Sequence, residues 1–190
     1  MDILREQGAA ALTARALAAR ADTSPAALYE LFGDKAGVMG HLRLRGFRLL
    51  AEALSGRPET PDPLADLWAL TAEYRRFVRR QPALAIVMFT PSPSGTVATP
   101  EELAAAAAVG GLIGGHVRRC VASGRLVGDA ADTASILEAL LQGLAFAEAA
   151  GRLGSSTESV ERRWRLAVAS SLNGLGARAV DPGGRRPSPQ

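Results

Sequence analysis

The chain of 190 residues contains one cysteine, Cys120, few aromatic side chains (5%), and a single lysine, Lys35, among its 22 basic side chains. A lone cysteine excludes a disulfide within the chain and fits a reducing cytoplasm. No stretch alternates apolar and polar side chains, and alanine and leucine dominate, so the composition predicts an all-α fold. The sequence lacks a signal peptide and an unbroken apolar run of about 18 residues, so we expect no membrane partner.

Residue patterns that carry catalysis or hold metal ions are also scarce. The two histidines, His41 and His116, are isolated in the sequence, and neither an HxxxH nor a CxxC spacing occurs. The glycine-rich run after AAAAA belongs to a predicted helix, so it is not expected to hold phosphate. The sequence therefore predicts a protein that is not an enzyme, with no catalytic residues, no metal site and no cofactor.

The net charge of +3 is too small to indicate nucleic-acid binding by itself. Residues 1–57 contain eight basic and six acidic groups, which gives this part of the chain a charge of +2. A weakly basic segment of this kind would have to bind DNA through individually placed contacts and dimerisation, because it has no broad electrostatic field.

The most informative segment is Leu12–Lys35, which predicts two short helices joined by a polar turn. Thr13 is a suitable N-cap for the first helix, because its hydroxyl can accept from an unpaired backbone N–H. Ser24 and Pro25 form a second helix start, since serine caps and proline favours the first helical position. The pattern matches the helix-turn-helix unit, which places its second helix in the DNA major groove.

Spacing alone leaves open an ordinary helix pair in an all-helical protein. The residue types of this segment, however, closely resemble the DNA-binding domain of TetR-family transcriptional regulators. Two positions differ from the family pattern: Asp22 stands where glycine is usual, and Leu31 where histidine is common. Aspartate tolerates a left-handed backbone, so we expect the turn to be kept. The matching residues are Leu12, Thr13, Leu17, Ala18, Ala21, Ser24, Pro25, Leu28, Tyr29, Phe32 and Lys35.

The resemblance implies roles at DNA for individual residues. Tyr29 and Lys35 would contact phosphates, while Thr13 and Arg15 would touch the backbone of the neighbouring strand. Glu30 either accepts a hydrogen bond from a cytosine amino group or points to solvent. The positions that would face base edges are small and offer mainly van der Waals contact with thymine methyl groups: Ser24, Pro25, Ala26 and Ala27.

The DNA-binding head is predicted to be a three-helix unit within residues 1–55. Its first helix is short, because only Asp2–Gln7 precedes Gly8. The resemblance implies a basic arm and a longer helix at this position, so we expect the true start of the protein to lie upstream of Met1.

A long helix from Lys35 to about Leu54 is predicted to join the head to the body. Its arginines at 43, 45 and 48 are expected to be solvated, or one of the first two to reach the DNA flank. The break Ser55–Pro63 marks the domain boundary. The body, residues 62–176, is expected to contain five helices and a loop over Thr90–Pro100, and residues 177–190 a disordered tail.

The body resembles one ligand-binding type of the same family in its RRFVRRQPALAIVMF and LLQGLAFAE segments. Thr133–Glu148 is apolar almost all round, so this helix must be covered on more than one side. With the last helix it is expected to form a four-helix bundle with a second copy, although Trp164 fits a core position equally well. The predicted interface residues are Leu137, Leu141, Leu144, Trp164, Val168 and Leu172.

The ligand pocket is expected among the remaining body helices, with ordinary core packing as the alternative for each residue. The glycine-rich run Gly110–Gly115 predicts either close helix packing or a ligand-sensitive kink. The candidate lining residues are Trp68, Tyr74, Phe77, Met88, Phe89 and His116, with Gln142 as a polar contact.

Taken with the resemblance, these features predict a dimeric regulator in the bacterial cytoplasm, at the nucleoid. It would repress by binding a short palindromic operator in double-stranded DNA, and a small apolar or amphipathic ligand would release it. The alternative is a helical ligand-binding or scaffold dimer whose shortened head no longer binds DNA.

Overall fold

The structure of the protein is a computed structural model that describes residues 33–90 and 97–176, together with Ser24, Ala26, Ala27 and Glu30. These ranges contain no strand, and no helix in them is long and apolar enough to cross a membrane. Six helices are described from end to end: α1 (Lys35–Ser55), α2 (Pro63–Arg80), α3 (Pro82–Phe89), α4 (Pro100–Ala122), α5 (Ala130–Ala149) and α6 (Thr157–Gly176).

The all-α prediction is confirmed, and five helices follow residue 62 as expected, after a break between Ser55 and Pro63. The long helix predicted from Lys35 to about Leu54 is α1, and the predicted Thr133–Glu148 segment lies within α5. Pro100 differs from the prediction, because it is the first residue of α4 and not the end of the loop. Residues 91–96 of that loop, the predicted tail and the short first helix lie outside the described residues.

Short polar side chains determine where the helices begin. Asp34, Asp62 and Asp129 each accept hydrogen bonds from backbone N–H groups in the first turn of α1, α2 and α5. These N–H groups have no partner within the helix, so the caps satisfy donors that would otherwise be unpaired. Proline opens α2, α3 and α4, where its missing N–H costs nothing.

Helix α4 is the centre of the body and packs against α1, α2 and α5. The second half of α1 is part of the same core, since Leu50 and Leu54 are almost fully buried beside residues of α2, α4 and α5. The predicted division into a head and a body stays a prediction, but α1 is built into the body's core. The largest fully buried side chains are Leu50, Leu67, Tyr74, Val78, Val87, Ile113, Val117, Cys120, Leu137 and Leu141.

Two glycines mark places where helices approach closely. A Cβ on Gly46 of α1 would overlap the Met88 side chain of α3 and lie 3.1 Å from Cγ of Leu84. In α4, a Cβ on Gly110 would lie 3.0 Å from Oε2 of Glu138 in α5. Helix α4 is continuous through its glycine-rich run, so close packing accounts for Gly110; a ligand-sensitive kink stays a prediction.

The connection between α1 and α2 is held by a polar cluster. Thr60 donates to both carboxylate oxygens of Asp66, from its N–H at 2.9 Å and its hydroxyl at 2.7 Å. Arg119 of α4 donates to the same carboxylate at 2.8 Å. These hydrogen bonds, those from Thr60 first, lower the pKa of Asp66 from 3.8 to about 2. Cys120 donates to the carbonyl of Pro63 at 3.2 Å, and burial raises the pKa of its thiol.

Candidate functional site

The start of the predicted recognition helix is visible in four residues. The hydroxyl of Ser24 accepts from the backbone N–H of Ala27 at 3.0 Å, which confirms that Ser24 caps this helix. Ala26, Ala27 and Glu30 are helical. Ser24, Ala26 and Glu30 are exposed and Ala27 is half-buried, so this start of the helix lies at the surface.

A turn at Gly33 and Asp34 precedes α1. Gly33 adopts φ of +79°, a left-handed conformation that favours glycine after a helix. Asp34 follows it and accepts from the N–H of Gly37 at 2.8 Å, which starts α1 at Lys35. Thr13, Arg15, Pro25 and Tyr29 lie outside the described residues, as does the side chain of Lys35, so their predicted DNA contacts stay predictions.

Helix α1 is joined to the body by a buried ion pair, which we call the joint. Nε of Arg43 lies 3.0 Å from Oε1 of Glu102, and the two side chains are only 10% and 8% exposed. The prediction that Arg43 is solvated or at the DNA flank is therefore wrong, because its guanidinium is buried and forms an ion pair with Glu102. Arg45 and Arg48 are exposed, as expected for a solvated face.

The same glutamate also begins α4. Its Oε2 accepts from the N–H of Thr99 at 2.8 Å, and the hydroxyl of Thr99 accepts from the N–H of Glu102 at 3.2 Å. This reciprocal capping box orients the glutamate side chain, whose other carboxylate oxygen pairs with Arg43. Gly40 leaves room for the carboxylate, since a Cβ there would lie 3.2 Å from its Oε1. The joint therefore ties the helix that follows the recognition segment to the N-terminus of the central body helix.

Five of the seven predicted ligand residues belong to the core or pack against it, and two of them are in contact with each other. The ring of Tyr74 stacks on Phe89 at 6.3 Å between centroids, and Phe89 meets Phe47 of α1 edge to face at 6.2 Å. Burial, and then the charge of Glu138, raise the pKa of Tyr74. Gln142 donates to Glu138 at 3.1 Å. Tyr74, Phe77 and Met88 are buried, whereas Trp68, Phe89, His116 and Gln142 are half-buried.

This arrangement joins some of the predicted ligand residues and separates others. Tyr74 and Phe89 are in contact, and Gln142 is hydrogen-bonded to Glu138, whose charge acts on Tyr74. Trp68 instead lines a surface groove between α2 and α6. Nδ1 of His116 is buried and has no hydrogen-bond partner among the described residues. Whether any of the seven contacts a ligand stays a prediction.

The predicted interface residues lie in the chain's own core. Leu137 and Leu141 have no exposed surface within one chain, and Trp164, Val168 and Leu172 are at most 4% exposed. They are therefore not available to a second copy, and only Leu144 is half-buried. Their apolar spacing correctly indicates burial, but α5 and α6 bury them against this same chain. The outward side of these helices carries apolar or small side chains instead: Ile136, Ala139, Gly143 and Leu166.

The sequence gives a signal for one half of the joint but not for the other. Thr99 followed by Pro100 and Glu102 is a recognisable capping box, which indicates a helix start. Nothing in the local sequence of Arg43 indicates its partner, because Glu102 lies 59 residues away. The local sequence of Arg75 likewise does not indicate its partners, Glu148 and Glu161, because both lie far away in the sequence.

A helix start capped by Ser24 at the surface, followed by a long helix packed into a helical body, fits the helix-turn-helix class of DNA-binding proteins. Comparison with known proteins agrees with this class. Residues 1–42 match the family model described as bacterial regulatory proteins of the tetR family, and residues 67–171 match the tetracyclin repressor-like C-terminal domain. The chain belongs to the TetR family of transcriptional regulators.

The same architecture occurs in a solved structure. A protein of unknown function from Rhodococcus sp. RHA1 is 26% identical to this chain, with a TM-score of 0.69. The similarity covers 93% of this chain and 91% of that chain, so it includes both the head and the body. No curated protein matches the chain. Family membership is thus shown by two separate parts of the sequence, residues 1–42 and 67–171.

Proposed function

We propose that this regulator is a dimeric repressor that binds a short palindromic operator and is released by a small apolar or amphipathic ligand. It would act in the cytoplasm, on the nucleoid. The observation that best supports this proposal is the joint between Arg43 and Glu102, because it connects the recognition segment to the body through two buried side chains. A change in the body that moves the N-terminus of α4 would thereby move α1 and the recognition helix.

Operator binding by a dimer requires two recognition helices held about one helical turn of DNA apart. We propose that a second copy packs on the outward side of α5 and α6, where Ile136 is 51% and Leu166 is 63% exposed. Small residues beside them, Ala139 and Gly143, would allow the helices of the two copies to approach closely. A ligand that favours a different separation of the recognition helices would then release the operator.

The proposal is tested by fluorescence anisotropy with the intergenic DNA next to the gene, compared with a scrambled duplex, at two salt concentrations. The wild-type protein should prefer the intergenic DNA, and its affinity should fall as salt rises. Lys35→Ala should weaken binding and lower the slope of log K against log salt by about 1, as expected for one lost phosphate contact. Tyr29→Ala should also weaken binding.

The matched control is Arg57→Ala, which removes the same charge from the exposed connection that follows α1. It should leave operator binding nearly unchanged. Equal affinity for intergenic and scrambled DNA would contradict the repressor proposal and favour a ligand-binding dimer that has lost DNA recognition.

A further inference from the structure

Two arginine-rich segments of the sequence, RRFVRR in α2 and ERRWR in α6, face each other across an open groove of about 470 Å³. We call it the α2–α6 groove. Its volume lies within the range of small-molecule sites, about 300–1,000 Å³. Its lining residues are Trp68, Thr71, Ala72, Arg75, Arg76, Arg79, Glu161, Trp164, Arg165 and Val168.

Arg75 lines the groove and forms ion pairs with two glutamates. Its Nε and Nη2 donate to the carboxylate of Glu148 in α5 at 3.0 and 3.2 Å, and its Nη1 contacts Glu161 of α6. Its guanidinium carbon also lies 5.8 Å from the centre of the Trp164 ring, a cation–π distance. Although burial disfavours its charge, the hydrogen bonds to Glu148 and Glu161 raise its pKa.

Two further arginines of the groove form no direct ion pair within the described ranges, although their charges act on Glu161. Arg76 forms an ion pair with Glu73, but neither Arg79 nor Arg165 forms one with any residue that the structure describes. Both are exposed. The groove therefore presents two guanidinium groups without a direct ion pair to a described residue, one from α2 and one from α6.

Glu161 demonstrates that this place stabilises a carboxylate. Its side chain is 49% exposed, yet its pKa is lowered, first by the hydrogen bond from Arg75 and then by the charges of Arg75, Arg79 and Arg165. A carboxyl group in a site of positive potential is held in its charged form. A second carboxylate brought to Arg79 and Arg165 would meet the same positive potential at two guanidinium groups that have no direct ion pair in the described part of the chain.

The remaining wall of the groove is apolar and aromatic. Trp68 is half-buried, and Trp164 and Val168 are buried behind the arginines. The indole N–H of Trp164 is buried and lacks an acceptor among the described residues. Buried donors are rarely left without an acceptor, which is an independent indication that this wall is incomplete.

We propose that the α2–α6 groove binds a small amphipathic anion, with its carboxylate against Arg79 and Arg165 and its apolar part along Trp68 and the exposed Ala72. A molecule of this class supplies the negative charge that the two arginines lack and the apolar contact that the tryptophans offer. The proposal concerns binding alone, at a place separate from the Tyr74–Phe89 contact, and does not require DNA binding.

The two tryptophans of the chain both line this groove, so intrinsic tryptophan fluorescence reports directly on its occupancy. The probes are phenylbutyrate, phenylbutanol and phenylbutylamine, which share an aryl-alkyl part and differ in charge. Phenylbutyrate should change the fluorescence in a saturable way and bind about tenfold more tightly than the alcohol, and the amine more weakly still. Isothermal titration calorimetry provides the same ranking without a fluorescent reporter.

Variants separate the arginines from the apolar wall. The double variant R79Q/R165Q should lose about tenfold in phenylbutyrate affinity and keep its affinity for phenylbutanol, with a wild-type circular dichroism spectrum. Arg162→Gln, an exposed arginine of α6 outside the groove, is the matched control and should bind like the wild type. Glu161→Gln should raise phenylbutyrate affinity about threefold, because it removes a competing carboxylate.

Three results would overturn the proposal. The first is equal affinity for the acid, the alcohol and the amine. The second is an equal loss in R79Q/R165Q and Arg162→Gln, which would indicate a general charge effect. The third is weaker phenylbutyrate binding by Glu161→Gln. Because no DNA is present in these measurements, each result leaves the repressor proposal untouched.

Discussion

The first and last described helices are attached to the body in opposite ways. Helix α1 is held by contacts that are closed to solvent. Its Arg43 forms a buried ion pair with Glu102, and its Gly46 lies directly against the buried Met88. Helix α6 is held by Trp164 and by an ion pair to Arg75 whose carboxylate is half exposed, and a groove separates it from α2. Helix α1 is therefore closely packed against the body, whereas an open groove lies beside α6.

The largest expected difference concerns the two glutamates. Glu102→Gln keeps the capping box but leaves the charge of Arg43 buried without a partner, which should lower the free energy of unfolding by about 3 kcal/mol. Glu161→Gln should cost at most about 1 kcal/mol, because its site is half exposed and Arg75 keeps Glu148. Urea denaturation followed by circular dichroism measures both.

A second substitution tests whether the unpaired charge of Arg43 causes the loss of stability in Glu102→Gln. R43M/E102Q removes the buried charge as well as its partner, so it should recover most of the stability that Glu102→Gln loses. If the double variant is less stable than the single one, the ion pair is not the contact that holds α1.

The next largest difference concerns two glycines inside helices. Gly46→Ala should lower the free energy of unfolding by about 1–3 kcal/mol, because the added methyl group overlaps the buried Met88. Gly111→Ala adds the same group in open space and should raise stability by about 1 kcal/mol through helix propensity. Thermal or urea denaturation of the pair decides whether α1 is as closely packed as its contacts indicate; equal effects would contradict it.

The smallest expected effect depends on pH and concerns the connection between α1 and α2. The folded pKa of Asp66, about 2, lies below its ordinary value of 3.8, so its charged form stabilises the fold above pH 3.8. This contribution is lost as the pH falls from 3.8 through about 2. Asp66→Asn should therefore be less stable than the wild type at neutral pH, and the difference should shrink below pH 3.8.

The control for that prediction is Asp132→Asn, an exposed carboxylate in the first turn of α5. Its stability difference from the wild type should be small and should vary little across the same pH range. A pH-independent deficit in Asp66→Asn would mean that the side-chain charge plays no part.

Local signals in the sequence predict the helices well, because caps and breaks act within a few residues. Ser24 is found in the capping role that its chemistry predicts. Apolar spacing also predicts that Leu137 and Trp164 are buried, but it cannot distinguish a core from a dimer interface, since both exclude water in the same way.

Long-range polar contacts could not be predicted from the sequence. Arg43 resembles its exposed neighbour Arg45, and only the fold brings Glu102 to it. The arginines of α2 likewise show no local sign that Arg75 is buried between two carboxylates while Arg79 is left unpaired. Pairing of charges depends on which helices become neighbours, and local periodicity does not contain that information.

The most direct test of this account measures operator affinity for the two glutamate variants, at a temperature where both are fully folded. Glu102→Gln should weaken binding to the intergenic DNA, because the joint that orients α1 is broken, and R43M/E102Q should remain weakened despite its recovered stability. Glu161→Gln should bind like the wild type. Equal affinities for all these proteins would contradict the claim that the joint between Arg43 and Glu102 positions the recognition segment.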